Sequence, residues 1–189
     1  MLGAAMDVAN RTPTRLAVDM LAPEPGDVIL DAGCGTGAAI EEVLARANCH
    51  VTGVDRSPTM IAAAHRRLHR AEREGRAELL CGDIGRLPFP DQGFSSVLAL
   101  NIFYFSDAEG MMLQELRRVM APGARLVSYV TDRATMERWA FAGSGTHRLY
   151  DDAALRALLV TGGFAAERIH IEKRPIARNV AGLFAIAEA

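Results

Sequence analysis

Half of the 189 residues are hydrophobic, which is enough apolar material for one substantial core, so a single domain over residues 1–189 is expected. A net charge of −2 offers no general attraction to nucleic acid or to an anionic membrane, and no apolar run approaches the roughly 18 residues of a membrane span. The three cysteines, Cys34, Cys49 and Cys81, lack metal-ligand spacing, and the chain opens without a charged-then-apolar leader; free thiols in a cytoplasmic protein without a metal centre are expected.

Thr12-Pro13 has the form of a helix start, with Leu16, Ala17, Met20 and Leu21 as its apolar stripe and Pro23, Pro25 and Gly26 as its end. The run Val28-Ile29-Leu30 is short, apolar and bounded by turn residues, as a buried parallel strand should be. It leads through Asp31 into Gly33-Cys34-Gly35-Thr36-Gly37 and then into the helix-favouring Ala38–Leu44. Glycines at a strand-to-helix turn permit positive φ and let a ligand reach bare backbone beside the positive end of a helix. The same residues satisfy the dinucleotide fingerprint, so the turn alone does not choose between cofactors, or between a ligand and none. Asp31 narrows the choice, because a carboxylate at the end of an apolar strand is costly unless something cationic or hydrogen-bonding needs it. Cys34 is expected to contribute backbone rather than sulfur.

His50–Asp55 is the second predicted strand, and its final acid lies where a βαβ nucleotide site holds ribose hydroxyls, although a helix-capping role is open to it as well. Ser57-Pro58 should cap a helix that turns Ile61, Ala64, Leu68 and Ala71 inward and Arg66, Arg67, Arg70 and Arg73 to water; the basic run 65–70 is thereby a solvated helix face. Ala77–Cys81 is the third strand, followed by Gly82-Asp83, an acid that could form an Asx turn or meet a ligand. After the turn-rich Leu87–Gly93, Phe94–Asn101 is a fourth buried strand, tipped by the aromatic cluster Phe103-Tyr104-Phe105.

Asp107 is the expected cap of a helix with Met112, Leu116 and Val119 on one face, ended by Pro122-Gly123 before a fifth strand over Ala124–Val130. From Thr131 to Tyr150 the pattern lapses. This segment mixes Gly143 and Gly145 with Trp139, Phe141, His147 and Tyr150, and is expected to cover a ligand pocket. A helix through Leu155, Leu158 and Leu159 starts at Asp151 or Asp152 and stops at Gly162-Gly163. Phe164–Glu172 and Val180–Ala187, joined by Lys173-Arg174-Pro175, complete a closing hairpin.

With Asp31 included, Asp-Ala-Gly-Cys-Gly-Thr-Gly resembles the first motif of the class I S-adenosylmethionine-dependent methyltransferases, and the likeness extends over about residues 12–189. It departs from many members at Phe94-Ser95-Ser96, where they carry Asp. The resemblance implies a doubly wound, mostly parallel α/β sheet of seven strands with an antiparallel C-terminal hairpin, binding its ligand where the winding reverses between strands one and four. It further implies S-adenosylmethionine as cofactor, S-adenosylhomocysteine as product, and a small-molecule acceptor. Asp31, Gly33, Cys34, Gly35, Gly37, Asp55, Arg56, Met60, Asp83, Ile84 and Asn101 are the expected cofactor residues, with Asp83 on the adenine amino group. If the acceptor is a hydroxyl that must lose its proton, Tyr104, His147 and Tyr150 are the candidates to assist. A nicotinamide-dependent oxidoreductase and a non-catalytic S-adenosylmethionine-binding module are the competing expectations; no oligomeric state is assigned.

Overall fold

The computed structural model describes residues 2–106, 110–139 and 148–189, with side chains from residue 10 onward. Helix α1 (Leu2–Leu21) precedes the alternating series β1 (Val28–Ala32), α2 (Ala38–Arg46), β2 (His50–Asp55), α3 (Pro58–Arg73), β3 (Ala77–Cys81) and β4 (Phe94–Leu100). A 3-10 turn over Phe103–Phe105 leads to α4 (Met111–Val119), β5 (Met120–Thr131), α5 (Arg133–Met136), α6 (Asp152–Thr161), β6 (Ile169–Ala177) and β7 (Val180–Glu188). The strands form one seven-stranded sheet in the order β3-β2-β1-β4-β5-β7-β6, parallel from β3 to β5 and antiparallel at both contacts of β7.

Alternation along each strand divides the core in two. Ile29, Val51, Leu98 and Val127 point to the face covered by Ala17 and Leu21 of α1, Ile40 and Val43 of α2, and Ile61 and Leu68 of α3. Leu30, Val54, Val97 and Leu126 point to the opposite face, under Leu113 and Leu116 of α4 and Leu155 and Leu159 of α6. Strands buried on both faces explain why β1 and β4 are almost wholly apolar. Within α3 the inward residues are Ile61, Ala64, Leu68 and Ala71, as the sequence pattern predicts, and Ser57 caps the helix by accepting from the Met60 N–H at 3.4 Å. Burying Leu68 alone contributes about 2 kcal/mol.

Three boundaries differ from expectation. Helix α1 begins well before Thr12 and carries Pro13 inside it. Pro13 is buried on the same stripe as Ala17 and Leu21, so packing against the sheet holds a helix that the Thr-Pro signal would have started later. Strand β5 starts directly after α4, and Pro122-Gly123 lies within it where the pairing slips from Phe94↔Met120 to Ser96↔Arg125; such an irregularity tolerates proline's missing N–H. On α4 it is Leu113 rather than Met112 that is fully buried with Leu116 and Val119, and Gly110 occupies the cap position; Asp107 lies outside the described residues. Lys173-Arg174-Pro175 belongs to β6. The hairpin instead turns at Arg178-Asn179, where Asn179 takes the positive φ of 63° that asparagine tolerates, and Phe164 packs in the core ahead of the strand.

Candidate functional site

The winding reverses between β1 and β4, and a cleft of about 660 Å³ opens at the carboxyl ends of these strands. Its floor is the glycine turn. Gly33 and Cys34 both donate their N–H groups to the Val54 carbonyl, at 2.7 and 3.0 Å, which ties the turn to β2. A Cβ at Gly33 would overlap Ile102, whereas one at Gly35 would meet no protein atom within 4 Å. Gly35, at φ 53°, therefore offers open backbone to the cleft, while Gly33 is glycine because the protein itself approaches. Gly37 is not on the cleft wall; it caps α2 in the left-handed conformation and faces Leu68 and Ala64.

Asp55 is shared between two backbone donors. Its Oδ2 accepts from Gly35 N–H at 2.9 Å and its Oδ1 from Ser57 N–H at 2.8 Å, so one carboxylate fixes both the glycine turn and the entry to α3. Each oxygen keeps a further lone pair, and Asp55 lines the cleft. Arg67 braces the turn from behind, donating to Thr36 Oγ1 at 2.8 Å. Asp31 is different in kind. It is 2% exposed, and its Oδ2 has no hydrogen-bond partner. Burial, and secondarily the negative charge of Asp55, pushes its pKa up to about 7. The same burial raises the Cys34 thiol, which leaves its sulfur a poor nucleophile.

Ten of the eleven residues expected to hold a cofactor line this one cleft: Asp31, Gly33, Cys34, Gly35, Asp55, Arg56, Met60, Asp83, Ile84 and Asn101. Asp83 also forms the Asx turn weighed as its alternative, with Oδ1 accepting from Gly85 N–H at 2.9 Å. The tip of β4 is held in an unusual state. Asn101 has φ 59°, its Nδ2 donates to Asn10 Oδ1 of α1 at 3.1 Å, and its Oδ1 accepts from the Tyr104 hydroxyl at 3.2 Å.

Of the expected proton-transfer residues, Tyr104 and Tyr150 do not line the cleft. Tyr104 is 8% exposed; its hydroxyl accepts from Thr131 N–H at 2.6 Å as it donates to Asn101, and burial pushes its pKa up to about 12. Tyr150 is 2% exposed and donates to the Phe103 carbonyl at 2.7 Å, so Ser106 Oγ, 2.8 Å away, must donate to it. Tyr150 lines a separate cavity of about 440 Å³ with Arg133 and Arg148, which shares no residue with the cleft. In this structure both tyrosines are engaged, shielded phenols that join the tip of β4 to the segment after β5. His147, with Phe141, Gly143 and Gly145, lies outside the described residues; the described parts of that segment dock on the core through Trp139 and on β7 through Thr135, whose Oγ1 accepts from Ala181 N–H at 3.1 Å.

Among the cleft residues that sequence reasoning did not assign are Asn10 and Thr14, one turn apart on α1, and Met111 and Arg86, while Phe105 of the aromatic cluster at the tip of β4 joins them on the wall. Phe105 is 51% and Met111 54% exposed, large apolar groups on the cleft wall. Only the fold brings α1 and the β4–α4 connection to this place, and no local spacing announces it. Among the described residues, no cluster of acids, histidines and cysteines could hold a metal ion.

A family model described as a methyltransferase domain matches residues 29–123, the stretch that contains the glycine turn, Asp55, Asp83 and the tip of β4. The chain is 29% identical over 121 residues to 24-methylenesterol C-methyltransferase 3 of Arabidopsis thaliana, covering 64% of this chain and 34% of that protein. It is 39% identical over 114 residues to demethylmenaquinone methyltransferase of Tropheryma whipplei, covering 60% and 45%. The chain thus spans between a third and a half of the length of these relatives. A solved geranyl diphosphate methyltransferase in complex with S-adenosylmethionine shares the fold, with a TM-score of 0.76 at 14% identity over 94% of this chain and 84% of that one.

Proposed function

The chain belongs to the class I S-adenosylmethionine-dependent methyltransferases, and we propose that it transfers a methyl group from S-adenosylmethionine to a small-molecule acceptor. The observation that carries this reading is Asp31. A carboxylate buried to 2%, with one oxygen unpartnered, at the foot of a glycine turn left open at Gly35, is a group whose counterpart is a ligand cation. An α-ammonium group answers that need and a nicotinamide dinucleotide, whose pyrophosphate would sit at the glycine turn beside Asp31, does not.

The residues present fit the cofactor. Asp31 would take the α-ammonium group, the second lone pairs of Asp55 the ribose hydroxyls, the free oxygen edge of Asp83 an adenine amino group, and Ile84 and Met60 the flanks of an aromatic ring. The cofactor supplies an activated methyl on a sulfonium with a neutral leaving group. What falls to the protein is alignment and exclusion of water, for which good orientation contributes roughly 7–11 kcal/mol. Asn101, fixed between α1 and Tyr104, holds the tip of β4 rigid where that alignment is needed. The apolar surfaces of Phe105 and Met111 suit an organic acceptor or the uncharged parts of the cofactor better than they suit water. Segment 131–150, with His147, is proposed to shape the acceptor side.

Calorimetric titration with S-adenosylhomocysteine, followed by turnover of tritiated S-adenosylmethionine against a panel of phenols, amines and isoprenoids, tests the proposal. Micromolar binding that Asp31→Asn weakens at least tenfold, with label transferred to an acceptor, is the expected result. Binding without transfer to any compound would leave a non-catalytic module, and failure to bind would overturn the reading.

A further inference from the structure

Three successive aromatics follow β4, and they have three different fates. Phe103 is fully buried, Tyr104 is 8% exposed with both hydrogen-bonding capacities of its hydroxyl engaged, and Phe105 is 51% exposed on the cleft wall. An exposed phenylalanine beside a cavity forgoes most of the gain its burial would bring, which makes its partners informative. On its own turn the Tyr104 ring meets it edge-on at 6.5 Å between centroids, and from across the cleft it is met by Arg56, whose guanidinium carbon stands 5.2 Å from the centre of the Phe105 ring.

The two residues come from different sides of the cleft. Arg56 follows β2 and Phe105 follows β4, and in the sheet these strands flank β1 on its left and right. Their contact therefore arches over the carboxyl end of β1, where Gly35 lies open. Both backbones are anchored: Arg56 lies between Asp55 and Ser57, which are joined by the Asp55–Ser57 hydrogen bond, and its carbonyl accepts from the Cys81 thiol at 3.8 Å, while Phe105 N–H donates to the Ile102 carbonyl at 3.1 Å. Opening the arch thus requires only side-chain rotation. Arg56 makes no ion pair with any described residue, so the aromatic face is the interaction that positions its guanidinium.

We infer that Arg56 and Phe105 form a clasp across the cleft, which swings open to admit the cofactor and recloses to slow its departure. The inference rests on the cofactor reading above and adds Phe105 to the residues that hold the ligand. A planar guanidinium and a phenyl ring present flat surfaces, as suits retention of a ligand with a flat heterocycle; neither contributes to the chemistry. Because side-chain rotation is fast compared with ligand exchange, a bound ligand leaves only through the open fraction, and the clasp slows release by about two- to fivefold for a cation–aromatic contact at an exposed position.

The test is stopped-flow measurement of S-adenosylhomocysteine dissociation from the wild-type chain, Arg56→Gln, Phe105→Leu, the double variant, and Phe105→Tyr. Phe105 and Arg56 are exposed, so the variants should keep the fold, checked by circular dichroism. The expected pattern is a two- to fivefold faster release in each single variant, no further acceleration in the double variant, and a wild-type rate in Phe105→Tyr, which keeps the ring. Unchanged release in both singles, while the wild-type chain binds normally, would overturn the clasp and leave the cofactor reading standing. Multiplying effects in the double variant would also overturn it, since the two side chains would then act separately. A wild-type chain that does not bind S-adenosylhomocysteine would remove the cofactor reading and the clasp together.

Discussion

Asp31 and Tyr150 are equally buried, each 2% exposed, yet their polar atoms are treated in opposite ways. The Tyr150 hydroxyl has a donor and an acceptor within 2.8 Å, supplied by Ser106 and Phe103. One oxygen of Asp31 has nothing. Folding normally satisfies buried polar groups, so a satisfied one reports on structure and an unsatisfied charge-bearing one reports on what is to be bound. Ser128 Oγ is the other unpartnered buried side-chain atom among the described residues, but a neutral hydroxyl inside β5 costs far less than a carboxylate and lies away from the cleft. The contrast between Asp31 and Tyr150 separates the glycine turn, whose buried acid is left with an open valence, from the aromatic pair, whose hydroxyls the fold satisfies.

The largest effect expected from this contrast is on stability against pH. An unfolded Asp31 loses its proton near pH 4, whereas the folded one holds it until about pH 7. Over that window the native state binds more protons than the unfolded state, so the ligand-free protein should become less stable as pH rises from about 4 to 7, by up to about 4 kcal/mol from this group, and then level off. Asp31→Asn should flatten that decline, as urea denaturation at a series of pH values would reveal. Stability that is indifferent to Asp31 across the window would mean that its burial carries no cost and that the contrast fails.

Next in size, the same Asp31→Asn change should lose about 1.5–3 kcal/mol of S-adenosylhomocysteine binding, the scale of a hydrogen bond between charged groups. Wild-type affinity should also rise with pH up to about 7, with proton uptake by the buffer detectable in calorimetry below that value, because the ligand cation favours the ionised acid. Tyr150→Phe is the converse. It should cost about 1–2 kcal/mol of stability, measured by denaturation, because the Phe103 carbonyl and Ser106 hydroxyl lose their partner, while cofactor affinity stays within a factor of about two. A large loss of affinity there would move Tyr150 back into the binding machinery. Smallest is Asp83→Ala. It should narrow the preference for an adenosyl over an inosyl ligand by about 1 kcal/mol, read from competition binding, and an unchanged preference would reduce Asp83 to its Asx turn.

How much of this was legible in the chain depends on how locally each feature is determined. β2 and β3 have the ends, and α3 the start, expected of them, because Ser57-Pro58 and the strand-end acids are signals carried within a few residues. The glycine turn with Asp31 and Asp55 was legible for the same reason. α1, the beginning of β5 and the hairpin turn were misplaced because packing decides them: Pro13 is tolerated in a helix clamped to the sheet, and Pro122 in a strand whose register slips. The aromatic cluster was the hardest. Phe103, Tyr104 and Phe105 are consecutive, and a single 3-10 turn sends one to the core, one to its hydrogen bonds with Asn101 and Thr131, and one to the cleft. No pattern of residue types foretells that division.

The placement of β7 between β5 and β6 bears on how the chain is made. During synthesis β5 is complete once Thr131 has emerged, but the strand that pairs with it runs from Gly182 to Glu188, more than fifty residues later. Until then β5 has a bare hydrogen-bonding edge, of the kind that recruits other strands. β6 and β7 pair through a two-residue turn, a local contact, whereas the pairing of β7 with β5 spans more than fifty residues and closes the sheet last in sequence. A chain cut between residues 132 and 180 would keep the glycine turn, Asp55 and Asp83 but leave β5 as an exposed edge open to pairing with other chains.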